Sequence, residues 1–221
     1  MKNATIAPKG AIFDQDGLLF DTEVIFEQSW IRSGKELGLP VTLEITRQLS
    51  GCGKKELADV ITAAFPSVDA AAVVEHAHRI AAETQLSMTP AIKSGVREIL
   101  SFCKSRGIRT AIASSSMKHL VDHNLQSTGL TDFFDAVVTG RDVTNGKPAP
   151  DIFLLAAEKI GVKPHDCVVF EDAFPGIRAA HAARCRPVLI PDRREPTPEI
   201  LEICESYPTL SDAISAIWPA P

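Results

Sequence analysis

The stretch AIFDQDGLLFDTE, residues 11–23, decides how the rest of the chain is read. A short apolar run, Ala11-Ile12-Phe13, ends abruptly in Asp14. A second carboxylate follows at Asp16, then Gly17, two leucines, Phe20 and Asp21-Thr22. Burying a charge without a partner is costly. Two acids at the mouth of a buried strand therefore imply a compensating group: a metal, a shared proton or a nearby cation.

Outward from that stretch, residues 108–113, 167–170 and 187–190 repeat the pattern of a short, β-branched apolar run, and 136–138 is a weaker one. Each has the length of a fully buried strand. Helical patterns over 95–106, 117–127, 151–160 and 176–183 separate the later runs. Strands alternating with helices of that length predict βαβ units and a parallel sheet covered on both faces. The fold class is α/β, a doubly wound parallel sheet with a Rossmann-like core. Residues 23–88 break the rhythm, with helical stretches at 24–37, 42–49, 54–65 and 68–86 punctuated by Pro40, Gly51-Cys52-Gly53 and Pro66. The chain divides into a core of 1–22 and 89–221 and a small all-helical cap of 23–88, inserted after the first strand. Met88-Thr89-Pro90 and Ser94-Gly95 form the return.

With 221 residues, 45% of them hydrophobic, the chain can bury a substantial core. A net charge of −5 argues against a nucleic-acid partner, so anions must be met by a few local donors. Cys52, Cys103, Cys167, Cys185 and Cys204 are scattered, odd in number and without CxxC spacing, which predicts reduced thiols and a cytoplasmic location. The N-terminal MKNATIAPKG lacks an apolar signal core, and no apolar run reaches the length of a membrane span. Asn3-Ala4-Thr5 matches a glycosylation sequon, and without a secretory signal it carries no weight. A monomer is the default expectation.

Ligands of open parallel sheets sit beyond the carboxyl ends of the strands, and there the sequence places its unusual polar residues. Asp14 and Asp16 follow the first strand and Ser114, Ser115 and Ser116 the second. Lys147 sits in Gly146-Lys147-Pro148, and Glu171-Asp172 follow the run ending at Phe170. Each feature alone has a bland reading as a cap or turn, but all fall on one edge of one sheet. Several carboxylates converging on a point suit a hard cation such as Mg2+. Hydroxyls and amides at a helix N-terminus bind phosphate oxygens, and a lysine offsets charge on a transferring phosphoryl group. One aspartate can attack phosphorus while a second, held protonated, donates to the leaving oxygen and later activates water.

The motifs make the resemblance specific. Asp14-Gln15-Asp16-Gly17 with Asp21-Thr22, then Ser114, Lys147 within GKPAPDIF, and Glu171-Asp172 within FEDAFPGI resemble, in order, the four motifs of the haloacid dehalogenase superfamily. The helical insertion is similar to the cap of its β-phosphoglucomutase-like subfamily. The resemblance implies Asp14 as nucleophile and Mg2+ ligand, and Asp16 as general acid/base with its backbone carbonyl on the metal. It implies Ser114 and Lys147 as holders of the phosphoryl group, and Asp172 with Glu171 as completing the metal shell. Asp16 favours phosphate-ester chemistry, because members acting on halogenated or phosphonate substrates lack this second acid.

Ser115 is a further candidate phosphate-binding residue. The loop Ser50-Gly51-Cys52-Gly53-Lys54-Lys55 lacks the full phosphate-binding-loop pattern and follows no strand. In the cap it matches a substrate-specificity loop, so Lys54 is a candidate for the distal polar groups of the substrate. His76 and His78, two apart on a helix, face different sides and are expected on the surface. His119 and His123 lie four apart without a third ligand, and Met88 and Trp30 read as packing.

The expected activity is hydrolysis of a small phosphorylated metabolite, such as a sugar phosphate, through an aspartyl-phosphate. Sugar-phosphate mutases of the subfamily carry a histidine five residues after the aspartate of Asp-Thr, and here that position is Phe26. A mutase, a phosphonate-cleaving enzyme using Lys54 or Lys55, and an idle binding relative are the alternatives.

Overall fold

The computed structural model describes residues 7–219 apart from 51 and 53, so the Asn3-Ala4-Thr5 sequon lies outside the described residues. Six parallel strands form one sheet: β1 (Gly10–Phe13), β2 (Arg109–Ser114), β3 (Ala136–Thr139), β4 (Cys167–Glu171), β5 (Arg186–Leu189) and β6 (Glu205–Ser206). Their spatial order is β3-β2-β1-β4-β5-β6. β1 lies in the middle, with Ile12 opposite Ala111 on one side and Val169 on the other. The direction of chain winding reverses at β1, which opens a crevice beyond the carboxyl ends of β1 and β4.

The period-2 alternation of these strands builds two cores, one on each face of the sheet. Ala11, Phe13, Ile112, Val168 and Phe170 face helices α5 (Val96–Arg106), α6 (Lys118–Thr128) and α10 (Leu210–Ile217). Ile12, Ala111, Ala113 and Val169 face α7 (Asp151–Lys159) and α8 (Phe174–Ala182). Phe13 stacks on Phe170 with ring centroids 5.0 Å apart. α8 starts two residues before the expected 176, because Pro175 suits the first helical turn, where its missing N–H costs nothing. The sequence reading assigns no element beyond residue 190. There the structure adds the short helix α9 (Pro198–Leu201), β6 and α10. The Thr209 side chain caps α10 by accepting from the Asp212 N–H, and Leu210, Ala213 and Ile217 are buried.

Between β1 and α5 stand four helices: α1 (Glu23–Leu37), α2 (Leu43–Leu49), α3 (Lys54–Ala64) and α4 (Ala70–Leu86). They share their own apolar cluster around Trp30, Leu49, Ile61, Val73 and Ala77. Trp30 packs as expected, whereas Met88 stands 44% exposed just past the end of α4, where no helix covers it. The two crossings to the sheet pair with each other: Asp21 N–H donates to Ala91 O at 3.0 Å and Lys93 N–H to Leu19 O at 3.0 Å. No helix among the described residues is long and apolar enough to cross a membrane. All five cysteines are unpaired.

The edge strand β6 is tied to β5 by a two-pronged ion pair. Arg186 Nε donates to Glu205 Oε1 at 2.6 Å and Nη2 to Oε2 at 2.9 Å. Arg186 holds the Glu205 carboxyl below its ordinary 4.5. A carboxyl lowered by folding contributes stability that is fully present above its unfolded pKa and is lost as pH falls through the folded one. Glu205→Gln is expected to cost under about 1 kcal/mol at pH 7, since the pair is partly exposed. The gap in urea midpoint between variant and wild type should close as the buffer is taken below pH 4.5.

Candidate active site

The site is assembled where β1 and β4 end. Asp14 N–H still donates to Phe170 O at 3.0 Å, so the chain follows β4 for one residue past β1 before it turns. Gly17 makes that turn with φ +80°, and a Cβ there would lie 2.2 Å from Asp172 Oδ2. Left-handed backbone and this close approach both require glycine. Gly176 is required for a different reason: its Cβ would lie 1.9 Å from Glu171 Oε1, so only glycine lets the first turn of α8 close over that carboxylate.

Asp14, Glu171 and Asp172 each bring a carboxylate oxygen within 4.8 Å of the others. Lys147 enters from the loop between β3 and α7. Its Nζ donates to Asp14 Oδ1 at 2.5 Å, to Glu171 Oε1 at 2.6 Å and to Ala113 O at 2.9 Å. All three ammonium protons are thereby used. The Lys147, Asp14 and Glu171 side chains are 8%, 10% and 1% exposed, so all three charges are buried. Burial pushes the Asp14 carboxyl up to about 7, with Lys147 opposing and Glu171 and Asp16 reinforcing the rise. Burial, then the neighbouring Glu171 and Asp14, pushes Asp172 well above the usual carboxylate range. Burial works against the Lys147 charge too, but Asp14 and Glu171 outweigh it and hold the ammonium above the usual lysine range.

One ammonium among three crowded carboxylates leaves negative charge that a protein interior does not tolerate alone. The hard oxygen donors of Asp14, Glu171 and Asp172 fit a small divalent cation, and Mg2+ suits such a set. Glu171 is the most engaged of the three, since Lys147 takes Oε1 and Ala173 N–H donates to Oε2 at 3.3 Å.

The Asp16 carboxylate stands apart from that cluster. Thr22 Oγ1 donates to Oδ1 at 2.9 Å and Ser116 Oγ to Oδ2 at 2.6 Å, with Gln15 Nε2 at 3.4 Å and Ser114 Oγ at 3.5 Å. Ser114 is buried and its Oγ accepts the Ser116 N–H at 3.0 Å, while Ser115 lines the cavity. Ser116 is thus the serine that grips Asp16, a partnership the motif does not name.

A cavity of about 1180 Å³ separates this rim from helices α1–α4. Glu23, Phe26 and Glu27 line it from α1, Arg47 from α2 and Glu75 and His78 from α4. His78 is exposed, as expected, and His76 is partly buried. His76 accepts or donates at 2.9 Å with Ser33 Oγ on the far side of α4, but His78 faces the cavity, edge-on to Phe26 and Trp30. The helical face of Val74, His78 and Ala81 could have marked it. His119 and His123 join no metal-competent group among the described residues, and His123 Nε2 lies 2.9 Å from Met88 O. Lys54 opens α3, but its side chain lies outside the described residues, as do Gly51 and Gly53 of its loop.

The family model of haloacid dehalogenase-like hydrolases matches residues 8–184. A phosphorylated carbohydrates phosphatase of Thermotoga maritima is 34% identical over 177 residues, 79% of this chain and 81% of the relative. Hexitol phosphatase B of Escherichia coli K12 is 31% identical over 193 residues, 82% of each chain. In three dimensions the chain resembles β-phosphoglucomutase of Clostridium difficile, with a TM-score of 0.74 at 23% identity over 95% of this chain and 96% of that one, a likeness of fold. The run of matching residues from the strand before Asp14 to the turn after α8 makes the chain a member of the haloacid dehalogenase-like hydrolase family.

Proposed function

We propose that the protein is a Mg2+-dependent phosphatase that hydrolyses a small phosphorylated metabolite, a sugar phosphate or similar monoester, through an aspartyl-phosphate on Asp14. The observation that carries this reading is the buried meeting of Asp14, Lys147, Glu171 and Asp172 at the floor of a cavity roofed by α1–α4. The names of the two relatives, a phosphorylated carbohydrates phosphatase and a hexitol phosphatase, agree with it.

In this reading Asp14, Asp172 and the backbone carbonyl of Asp16, with Glu171 directly or through water, hold the cation. Bound Mg2+ supplies positive charge beside the phosphoryl oxygens and the attacking carboxylate. Asp14 attacks phosphorus and the bond to the ester oxygen breaks, while Asp16 passes a proton to that departing oxygen. Asp16 then takes a proton from water, whose oxygen displaces Asp14 and releases phosphate. Lys147 fixes the Asp14 carboxylate in place, and Ser114 and Ser115 flank the phosphoryl position. Residues 23–88 act as a cap that admits the substrate and excludes bulk water on closing.

The mutase reading has one observation in its favour, His78 lying against Phe26 in the same cavity. Phe26 itself cannot make the hydrogen bonds of the mutase histidine. The two readings separate in a single assay. A panel of metabolite monoesters with Mg2+ is expected to release inorganic phosphate, excess EDTA to stop the release, and β-glucose 1-phosphate to yield no glucose 6-phosphate. Isomerisation without phosphate release would establish the mutase instead, and full activity in EDTA would remove the cation from the reading.

A further inference from the structure

Lys93 lies on the second crossing between the sheet and helices α1–α4, far in sequence from every motif. Its Nζ donates to the carbonyl of Gly17 at 2.7 Å and to Asp192 Oδ1 at 2.5 Å. Both side chains are mostly buried, at 23% and 15% exposure. Asp192 Oδ2 is buried without a hydrogen-bond donor among the described residues. Arg193 Nε is 3.7 Å away from it, so Lys93 is the group that holds this carboxylate. Hydrogen bonds from an ammonium to a carbonyl and a carboxylate are short, strong and geometrically demanding.

What Lys93 grips is the one turn on which the second acid depends. Gly17 directly follows Asp16, and its N–H closes the turn on Phe20 O at 3.0 Å. The Asp172 carboxylate stands beside the same glycine, where a Cβ would lie 2.2 Å from its Oδ2. A shift of the Gly17 peptide therefore moves the Asp16 backbone and disturbs Asp172 together. The loop that carries Asp192 also reaches the helices: Arg194 Nη2 donates to Gln48 O and lies against Cys52 Sγ, both at 3.3 Å. Lys93 itself does not line the cavity.

We propose that Lys93, held by Asp192, is a positioning residue for Asp16: its ammonium fixes the Gly17 peptide so that the Asp16 carboxyl meets the departing ester oxygen. This rests on the phosphatase reading and adds to it a residue outside the four motifs. A sugar alkoxide needs a proton to leave, whereas p-nitrophenolate leaves without one. The two esters therefore separate loss of Asp16 placement from general damage.

The test compares kcat/KM, which reports the steps through formation of the aspartyl-phosphate, for the best sugar monophosphate and for p-nitrophenyl phosphate. Lys93→Met is expected to lower the first value roughly ten- to hundred-fold and the second by less than about three-fold. Lys93→Arg should recover most of the loss, because a guanidinium can still bridge Gly17 O and Asp192. Asp192→Asn, which keeps the shape of the pair and carries the test if Lys93→Met does not fold, should show the same selectivity more weakly. Equal losses on both esters, or no loss on the sugar ester, would overturn the positioning role. A wild-type protein that hydrolyses neither ester would instead overturn the phosphatase reading on which it rests.

Discussion

Asp14→Asn protein is expected to fold as the wild type does and to release phosphate from a sugar monophosphate at a rate lower by at least about 10,000-fold. The amide keeps the volume of the carboxylate and leaves Oδ1 as an acceptor for Lys147, so the packing at the end of β1 has no reason to change. It cannot attack phosphorus. Removing this charge also removes the cost of burying it, which lifts the Asp14 carboxyl to about 7, and the lesser repulsion from Glu171 and Asp16. The melting temperature without added metal should therefore hold or rise while turnover vanishes. Acid-quenched wild-type protein should carry phosphate on Asp14 and the variant none. Wild-type rates in Asp14→Asn would remove the nucleophile from the proposed chemistry.

Lys147→Met is expected to do the opposite to stability. The ammonium is the cation that Asp14 and Glu171 both bond, and all three groups are almost fully withdrawn from water. Deleting it strands two carboxylates beside Asp172, and breaking a buried pair from one side costs about 3–5 kcal/mol. The loss should appear as a lower urea midpoint at pH 7. It should shrink as the pH is lowered, because the buried Asp14 carboxyl, already raised to about 7 and now without its cation, takes up a proton more readily in the folded protein than in the unfolded chain. Activity should be lost together with the anchor of Asp14. A variant as stable as wild type at pH 7 would mean that the three acids are compensated by something other than Lys147.

Much of this molecule is legible in its sequence, for an identifiable reason. A buried parallel strand must be a short apolar run and must be followed by a crossover, so β1, β2, β4 and β5 are found by hydrophobicity and spacing alone. Polar residues at the ends of such runs have one place to go, the carboxyl edge of the sheet. That is why Asp14, Ser114, Lys147 and Glu171-Asp172 could be assigned to one rim before any contact was known. The short β6 carries no such pattern, since two residues on an edge need no apolar run. The helix α10 has an apolar face and a threonine cap, but at eight residues its signal is brief.

What the linear order alone determined about this protein is the alternation of strand and helix, the insertion of helices after the first strand, and the list of chemical groups at the rim. The tertiary structure alone decided how those groups are paired. It turned Asp16 away from the other acids toward Thr22 and Ser116, placed three acceptors around one ammonium, and aimed His78 into the cavity. It also brought Lys93 to Asp192 across 99 positions of chain. Periodicity is a property of neighbours along the backbone and survives in the sequence. A hydrogen bond between side chains on separate loops depends on rotamers and on sub-ångström packing, which no local pattern encodes.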